Sequence, residues 1–390
     1  MRNSSQPVDH EQIRRCLIVL PRALGDIVLA TPLFGALKKH IPHCLIDVLV
    51  FDDTAGLLSG HPHISSVELI RARWGKRLLG SLLPRLALLR RLYGKRYDLL
   101  IQPGDGSWGP ALVLMLGIRV ASGAHPRVHR HFAKRFFWRL AFTHTPVRPH
   151  QHAAPRHAVQ TNLDLLRCLG IHPAPPEGAM SIVPEQDARK DIRHILEQHG
   201  LAPRRFVLLS PIASASGKSL GTYACRELIK QLRAAGIRIV VVAAPVPREI
   251  ACVRAILEGG NEGVVDLAGT LDLRQLAAIA AEAACAVAMD SGTMHIAVGT
   301  GTPVVAIFGP GNEHCTGPLG SKHKVVSARL SCRPCYRDGC GGSGVADCLN
   351  TIEVPEVVEA VKAIMYDRSP PSPVAPAQEI SAPRKPKPHD

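Results

Sequence analysis

The stretch from residue 286 to residue 311 leaves this chain few folds to choose from. The apolar run 286–289 stops at Asp290-Ser291-Gly292. A new run opens with Thr293-Met294-His295, and a further apolar run, 302–308, ends in Gly309-Pro310-Gly311. Strand, tight turn, helix start and second strand in so short a span describe a parallel sheet with crossover helices. The first N–H groups of a helix have no internal partners, and the helix dipole puts partial positive charge behind them. Gly292 lets the backbone approach closely. Ser291, Thr293 and His295 add side-chain donors, and a protonated His295 would add charge. The expectation is a phosphate-holding crevice at the carboxyl end of the sheet.

The same alternation runs through the rest of the chain. A strand over 15–20 leads to Gly25-Asp26 and an amphipathic helix over 27–40, with Pro32 early enough to be tolerated. Strands follow at 45–51, 97–101 and 119–122. A His- and Pro-rich loop (143–156), a helix (160–170) and a Pro-rich linker (171–184) close this part. The pattern then restarts, with strands at 206–210, 237–243 and 264–267 and helices at 223–235, 248–257 and 273–283. An amphipathic helix over 354–365 ends it, free to fold back on the first unit. Residues 367–390, rich in Pro, Ser and Lys, read as a disordered tail. Two α/β units are expected, 1–172 and 173–366.

Of the 390 residues, 46% are hydrophobic and only 4% aromatic, so the cores must be aliphatic. A formal net charge of +15 favours an anionic partner: nucleic acid, a membrane face or a phosphorylated substrate. No nucleic-acid motif accompanies the charge, so nucleic acid is set aside. Residues 1–12 are polar, without the apolar centre of a signal peptide, and no apolar run reaches membrane-spanning length. A cytoplasmic protein is expected, in which eleven cysteines are not a disulfide framework.

Two α/β units, with a phosphate crevice in the C-terminal one, resemble a GT-B glycosyltransferase, two Rossmann-like domains facing across a cleft. Asp266-Leu267-Ala268-Gly269-Thr270, Asp290 to His295, Pro303 to Pro310 and Gly317-Pro318 together resemble the C-terminal signature of glycosyltransferase family 9, the lipopolysaccharide core heptosyltransferases. Ala23-Leu24-Gly25-Asp26-Ile27 with Thr31-Pro32 is similar to that family's N-terminal landmark. The cysteine run, Cys332-Arg333-Pro334-Cys335 through Cys340 and Cys348, is similar to a segment of the heptosyltransferase III subgroup.

The resemblance implies inverting, metal-independent transfer of heptose from ADP-heptose to the lipopolysaccharide inner core, with no cofactor. It implies Asp26 as the base; from the residues alone, Asp26 is an acidic helix cap worth about 1 kcal/mol. Gly292, Thr293 and His295, beside Ser291, match positions that contact the donor phosphates. Lys218 is the expected cation, in the loop Ser214-Ala215-Ser216-Gly217-Lys218-Ser219, where Ser214 and Ser216 add hydroxyls. The aromatic residue that follows this lysine in the family is absent here, where Ser219-Leu220-Gly221 stands. Asp290 is expected to orient the heptose, although a turn-forming Asp is its ordinary reading. Glu249 is a candidate for the ribose hydroxyls. Two rivals remain: another sugar donor or a protein acceptor within the same family, and a non-catalytic nucleotide-sugar or metal-binding module.

Residues 71–96 combine Leu with Arg and Lys, as a membrane-surface helix pair would. A core-packed helix with a solvated basic face reads nearly as well. With a lipid-linked phosphorylated acceptor, the first reading puts the protein at the inner-membrane surface. Cys332, Cys335, Cys340 and Cys348 are spaced closely enough for one structural Zn or Fe, but Cys-x7-Cys is irregular as a second half-site.

Overall fold

The computed structural model describes residues 7–71, 82–124, 132–146, 155–174, 179–258, 260 and 262–366. The tail 367–390, the start of the basic segment (72–81), 125–131, most of the His/Pro loop (147–154) and part of the linker (175–178) lie outside the described residues.

The first lobe runs β1 (Arg15–Val19), α1 (Leu24–Ala30), α2 (Pro32–His40), β2 (Leu45–Phe51), β3 (Ser66–Ile70), α3 (Leu82–Lys95), β4 (Leu99–Gln102), α4 (Trp108–Leu116), β5 (Val120–Gly123), α5 (Phe132–Ala141) and α6 (Ala158–Arg167). Its sheet is parallel throughout, in the order β3-β2-β1-β4-β5, with Cys16 opposite both Ile46 and Leu99. The second lobe runs α7 (Gln186–Gln198), β6 (Phe206–Ser210), α8 (Thr222–Ala234), β7 (Arg238–Val241), α9 (Pro247–Leu257), β8 (Val264–Asp266), α10 (Leu273–Glu282), β9 (Cys285–Met289), α11 (Gly292–Gly299), β10 (Val304–Phe308), α12 (Glu313–Thr316), β11 (Lys324–Ser327) and α13 (Val354–Tyr366). Its sheet is also parallel, in the order β11-β10-β9-β6-β7-β8. Two parallel α/β lobes are what the alternation led us to expect, and their arrangement is the GT-B one that the resemblance implies.

The single helix expected over 27–40 is two helices. Pro32 has no N–H to continue the ladder and opens α2, while the Thr31 hydroxyl donates to the Val28 carbonyl at the break. Helix α1 starts earlier than expected, at Leu24, which puts Asp26 in its first turn. Strand β3 was not expected at all, because Glu68 interrupts its apolar pattern. Glu68 is nonetheless buried, held by ion pairs with Arg91 and Lys95, and Lys95 also reaches the buried Asp47 of β2. Helix α13 packs on α8 and on β9, β10 and β11 of its own lobe, and its buried Val357, Val358 and Val361 belong to that lobe's outer core. Among the described residues, these main contacts all lie within the second lobe.

Three apolar layers organise the molecule. One lies under α3, α4 and α5, where Leu88, Leu92, Val113 and Trp138 cover the outer face of the first sheet. Another lies between the second sheet and α8, α9 and α13. The largest is shared, joining Leu33, Phe34 and Leu166 of the first lobe to Ile279, Met294 and Ile296 of the second. Helices α1 and α11 meet in this middle layer.

Candidate active site

Two glycines set how closely the lobes meet. A methyl on Gly25 would sit 2.7 Å from Cδ2 of His295, and one on Gly292 would sit 3.0 Å from Cβ of Leu24. The first turns of α1 and α11 therefore touch, and Asp26 stands at the seam with a 40% exposed side chain. Arg22 Nε donates to Asp26 Oδ2 at 2.9 Å, and Arg22 Nη1 lies 3.7 Å from Asp105 Oδ1.

On the facing lobe, strand β9 ends just before Asp290, and α11 begins two residues after it with no side-chain cap. Its leading N–H groups are thus open to a ligand. Lys218 Nζ donates to Asp290 Oδ2 at 2.6 Å, so the lysine, which closes a short 3-10 turn after β6, belongs to the crevice even without the aromatic residue that follows it in the family. Ser214 and Ser216 are both exposed on the same loop, and Thr293 is half-buried in the first turn of α11.

His295 is 4% exposed. Burial pushes its pKa down to about 4; Asp290 and Asp26 pull it up, while His157 and Lys218 push it down further. The expectation of a protonated His295 is therefore corrected: desolvation keeps the imidazole neutral at pH 7. Its Nδ1 and the Ser291 hydroxyl are buried without a protein partner. Two orphaned polar atoms at an uncapped helix start are what a site built for a polar ligand leaves unsatisfied.

Glu249 lies in the first turn of α9 but is buried, and its Oε2 accepts from the Ala244 N–H at 3.1 Å. That bond fastens the turn after β7 and uses one of its oxygens.

The cysteine segment folds over the crevice. Asp338 Oδ1 accepts from the Gly217 N–H at 2.7 Å. Arg333, 9% exposed at its side chain, donates to the carbonyls of Gly309, Ala328 and Gly311 and pairs with Glu313 at 3.0 Å. Gly311 in turn passes close under Asp290 Oδ2. Cys332 and Cys340 are exposed, Cys335 is half-buried, and burial raises the thiol pKa of the buried Cys348. Among the described residues no group of three or more His, Cys, Asp or Glu could hold a metal ion. The segment braces the phosphate loop through Asp338, and the Gly309–Gly311 turn through Arg333.

Several of these residues carry no signal in one sequence. Arg22 is recognisable only as four residues ahead of Asp26, one helical turn. Arg248 reaches back from α9 to the Ala213 and Ser214 carbonyls, at 3.0 and 2.9 Å. His157 accepts from the Val159 N–H at Nδ1 and donates from Nε2 to the Gly317 carbonyl at 2.9 Å, tying the lobes together beside the crevice.

Residues 85–345 match the model of glycosyltransferase family 9 (heptosyltransferase); Asp26 lies ahead of that stretch. Lipopolysaccharide heptosyltransferase 3 of Escherichia coli is 30% identical over 286 residues, 73% of this chain and 80% of that one. A glycosyl transferase family 9 structure from Veillonella parvula superposes with a TM-score of 0.76 at 19% identity, covering 92% of this chain and 99% of that one. The E. coli ADP-heptose lipopolysaccharide heptosyltransferase II structure gives 0.71 at 22% identity, covering 90% and 99%.

Proposed function

The chain belongs to glycosyltransferase family 9, and from that membership we propose that it is an inverting heptosyltransferase, moving heptose from ADP-heptose to a sugar hydroxyl of the lipopolysaccharide inner core. The observation that carries this reading is the seam itself. A carboxylate on one lobe faces an uncapped helix start and a lysine on the other, with Gly25 against His295 between them.

Inversion is a single displacement. The acceptor hydroxyl attacks the anomeric carbon from the first-lobe side, and Asp26 takes its proton as the new C–O bond forms. The anomeric bond to the diphosphate breaks on the opposite face. The charge that develops there is met by the N–H groups of Gly292 and Thr293 and by the Lys218 ammonium, which are fixed in place before the reaction. These groups supply the positive charge at the leaving group, so the reading requires no catalytic metal. Asp290 holds Lys218 at the crevice. A diphosphate arriving at Lys218 competes for the ammonium and leaves a carboxylate free to hold heptose hydroxyls. Neutral His295 and Ser291 contribute hydrogen bonds and no charge. Ribose contact by Glu249 is restricted to its remaining oxygen.

We place the protein at the cytoplasmic face of the inner membrane, where a lipid-linked phosphorylated acceptor meets a soluble nucleotide sugar. The +15 net charge supports an anionic partner, and no helix among the described residues is long and apolar enough to cross a membrane.

The test is Asp26→Asn, which keeps shape and removes the proton acceptor. Transfer measured by ADP release should fall about 10³-fold, while ADP affinity by calorimetry stays within about twofold of wild type. Unchanged turnover would remove Asp26 from the chemistry. Release from a UDP- or GDP-sugar, with none from ADP-heptose, would overturn the donor.

A further inference from the structure

Helices α3, α4 and α5 cover the outer face of the first sheet, and their outward sides should be polar. They are not. Helix α4 contains no charged residue, and it exposes Leu114 at 40% and Met115 at 56%. Next to it α5 exposes Phe136 at 57%, Phe137 at 52% and Leu140 at 43%, and α3 exposes Leu83 and Leu86. Between α4 and α5 opens a pocket of about 430 Å³, lined by Pro110, Ala111, Leu114, Met115, Phe137 and Trp138. Across these three helices there is no acidic residue; Arg90 of α3 and Arg139 of α5 are exposed, while Arg91 and Lys95 are tied to Glu68 and Asp47.

We propose that this α4–α5 face docks on an anionic lipid bilayer, with the pocket taking up an acyl chain. The proposal builds on the membrane placement above and centres it on α4 and α5; of the 71–96 segment, only the exposed side of α3, with Leu83 and Leu86, takes part. Within that segment, Leu88 and Leu92 of α3 are in the core, and Arg91 and Lys95 are held by Glu68 and Asp47. A bare apolar patch on helices that expose Arg90 and Arg139 and carry no acid matches an interfacial membrane contact, in which apolar side chains enter the headgroup boundary and cations meet lipid phosphates. A second copy of this chain fits less well, because a two-fold interface would set the same cationic helices against each other. The one carboxylate at the pocket, Asp105, lies 3.7 Å from Arg22, which in turn holds Asp26. The docking face and the proposed base are thus two ion pairs apart, so an acceptor held in the leaflet meets the base beside the surface that binds its membrane.

The experiment is flotation of the full chain with phosphatidylglycerol-containing vesicles and with phosphatidylcholine vesicles, for wild type and for Met115→Asp/Phe137→Asp. Both replaced side chains are more than half exposed, and thermal melting checks that the variant stays folded. Wild type should float with the anionic vesicles, and the variant should lose at least about tenfold in vesicle affinity. Its turnover on a deacylated acceptor should stay within about twofold of wild type. Equal vesicle binding by variant and wild type would overturn the proposal, as would no binding by wild type. A wild-type dimer by light scattering that the variant dissolves would overturn it in favour of self-association. Because the deacylated assay needs no membrane, failure of the transfer reaction itself is read separately.

Discussion

Replacing Gly25 by alanine adds one methyl group to the seam between the lobes. The new carbon would lie 2.7 Å from His295 Cδ2, where ordinary contact begins near 3.4 Å, so α1 and α11 must part by about 0.7 Å. His295 cannot swing aside, being 4% exposed. Two stability effects oppose each other. Alanine gains about 1 kcal/mol over glycine inside a helix, and overpacking costs about 1–3 kcal/mol. The net loss is about 0–2 kcal/mol, a few degrees in melting temperature. Catalysis should suffer far more, since displacing reacting groups by about 1 Å costs about 10²-fold. The assay is kcat/KM by ADP release beside thermal melting of the same preparation. Gly35→Ala on α2 is the control, because its nearest neighbour is a His63 ring carbon at 3.9 Å; it should retain activity and gain slight stability. Wild-type kcat/KM in Gly25→Ala, with melting unchanged, would show that the contact does not set the distance between Asp26 and the helix start.

Lys218→Ala should raise the donor KM and lower kcat together, about 10²-fold in kcat/KM; its stability cost should stay near about 1 kcal/mol, because the lysine side chain is 33% exposed. A change in stability without one in kinetics would confine the pair to structure. Arg333→Ala should cost about 2–4 kcal/mol by chemical denaturation, since it frees three carbonyls and Glu313 at once; Arg333→Lys should not restore this, lacking the planar fork. The folded-state pKa of His295 is about 4, below its ordinary 6.5, so the unfolded chain binds the extra proton between those values. Stability contributed by His295 is therefore full above pH 6.5 and declines as pH falls toward 4. His295→Gln should flatten melting temperature against pH in that window, and an unchanged slope would mean the ring is not held neutral.

Much of the architecture was legible because a parallel sheet buried on both faces writes continuous apolar runs. Val304–Phe308, Phe206–Ser210 and Cys285–Met289 are buried at every position. The α11 crevice was legible for a related reason: a buried strand that stops at Asp-Ser-Gly needs a turn and a helix start, and that start carries its own unpaired N–H groups. Strand β3 was hidden because Glu68 in its middle is tolerated only once Arg91 and Lys95 arrive from α3. The break at Thr31 was missed because Pro32 suits either a first turn or a new helix, and local sequence does not choose.

The site divides along the same line. Asp290 and the Gly292–His295 turn could be marked from turn chemistry spanning a few residues, whereas Asp26 and Lys218 could be marked only through the resemblance to a known family. Their meeting could not, because it depends on Gly25 lying against His295 across two lobes. The neutral state of His295 likewise follows from desolvation by distant residues. So does the bracing by the cysteine segment, whose Asp338 and Arg333 pin the phosphate loop and the Gly309–Gly311 turn. Periodicity and turn chemistry are short-range and survive in one dimension; burial, charge state and interlobe distance are sums over neighbours that only the folded chain brings near.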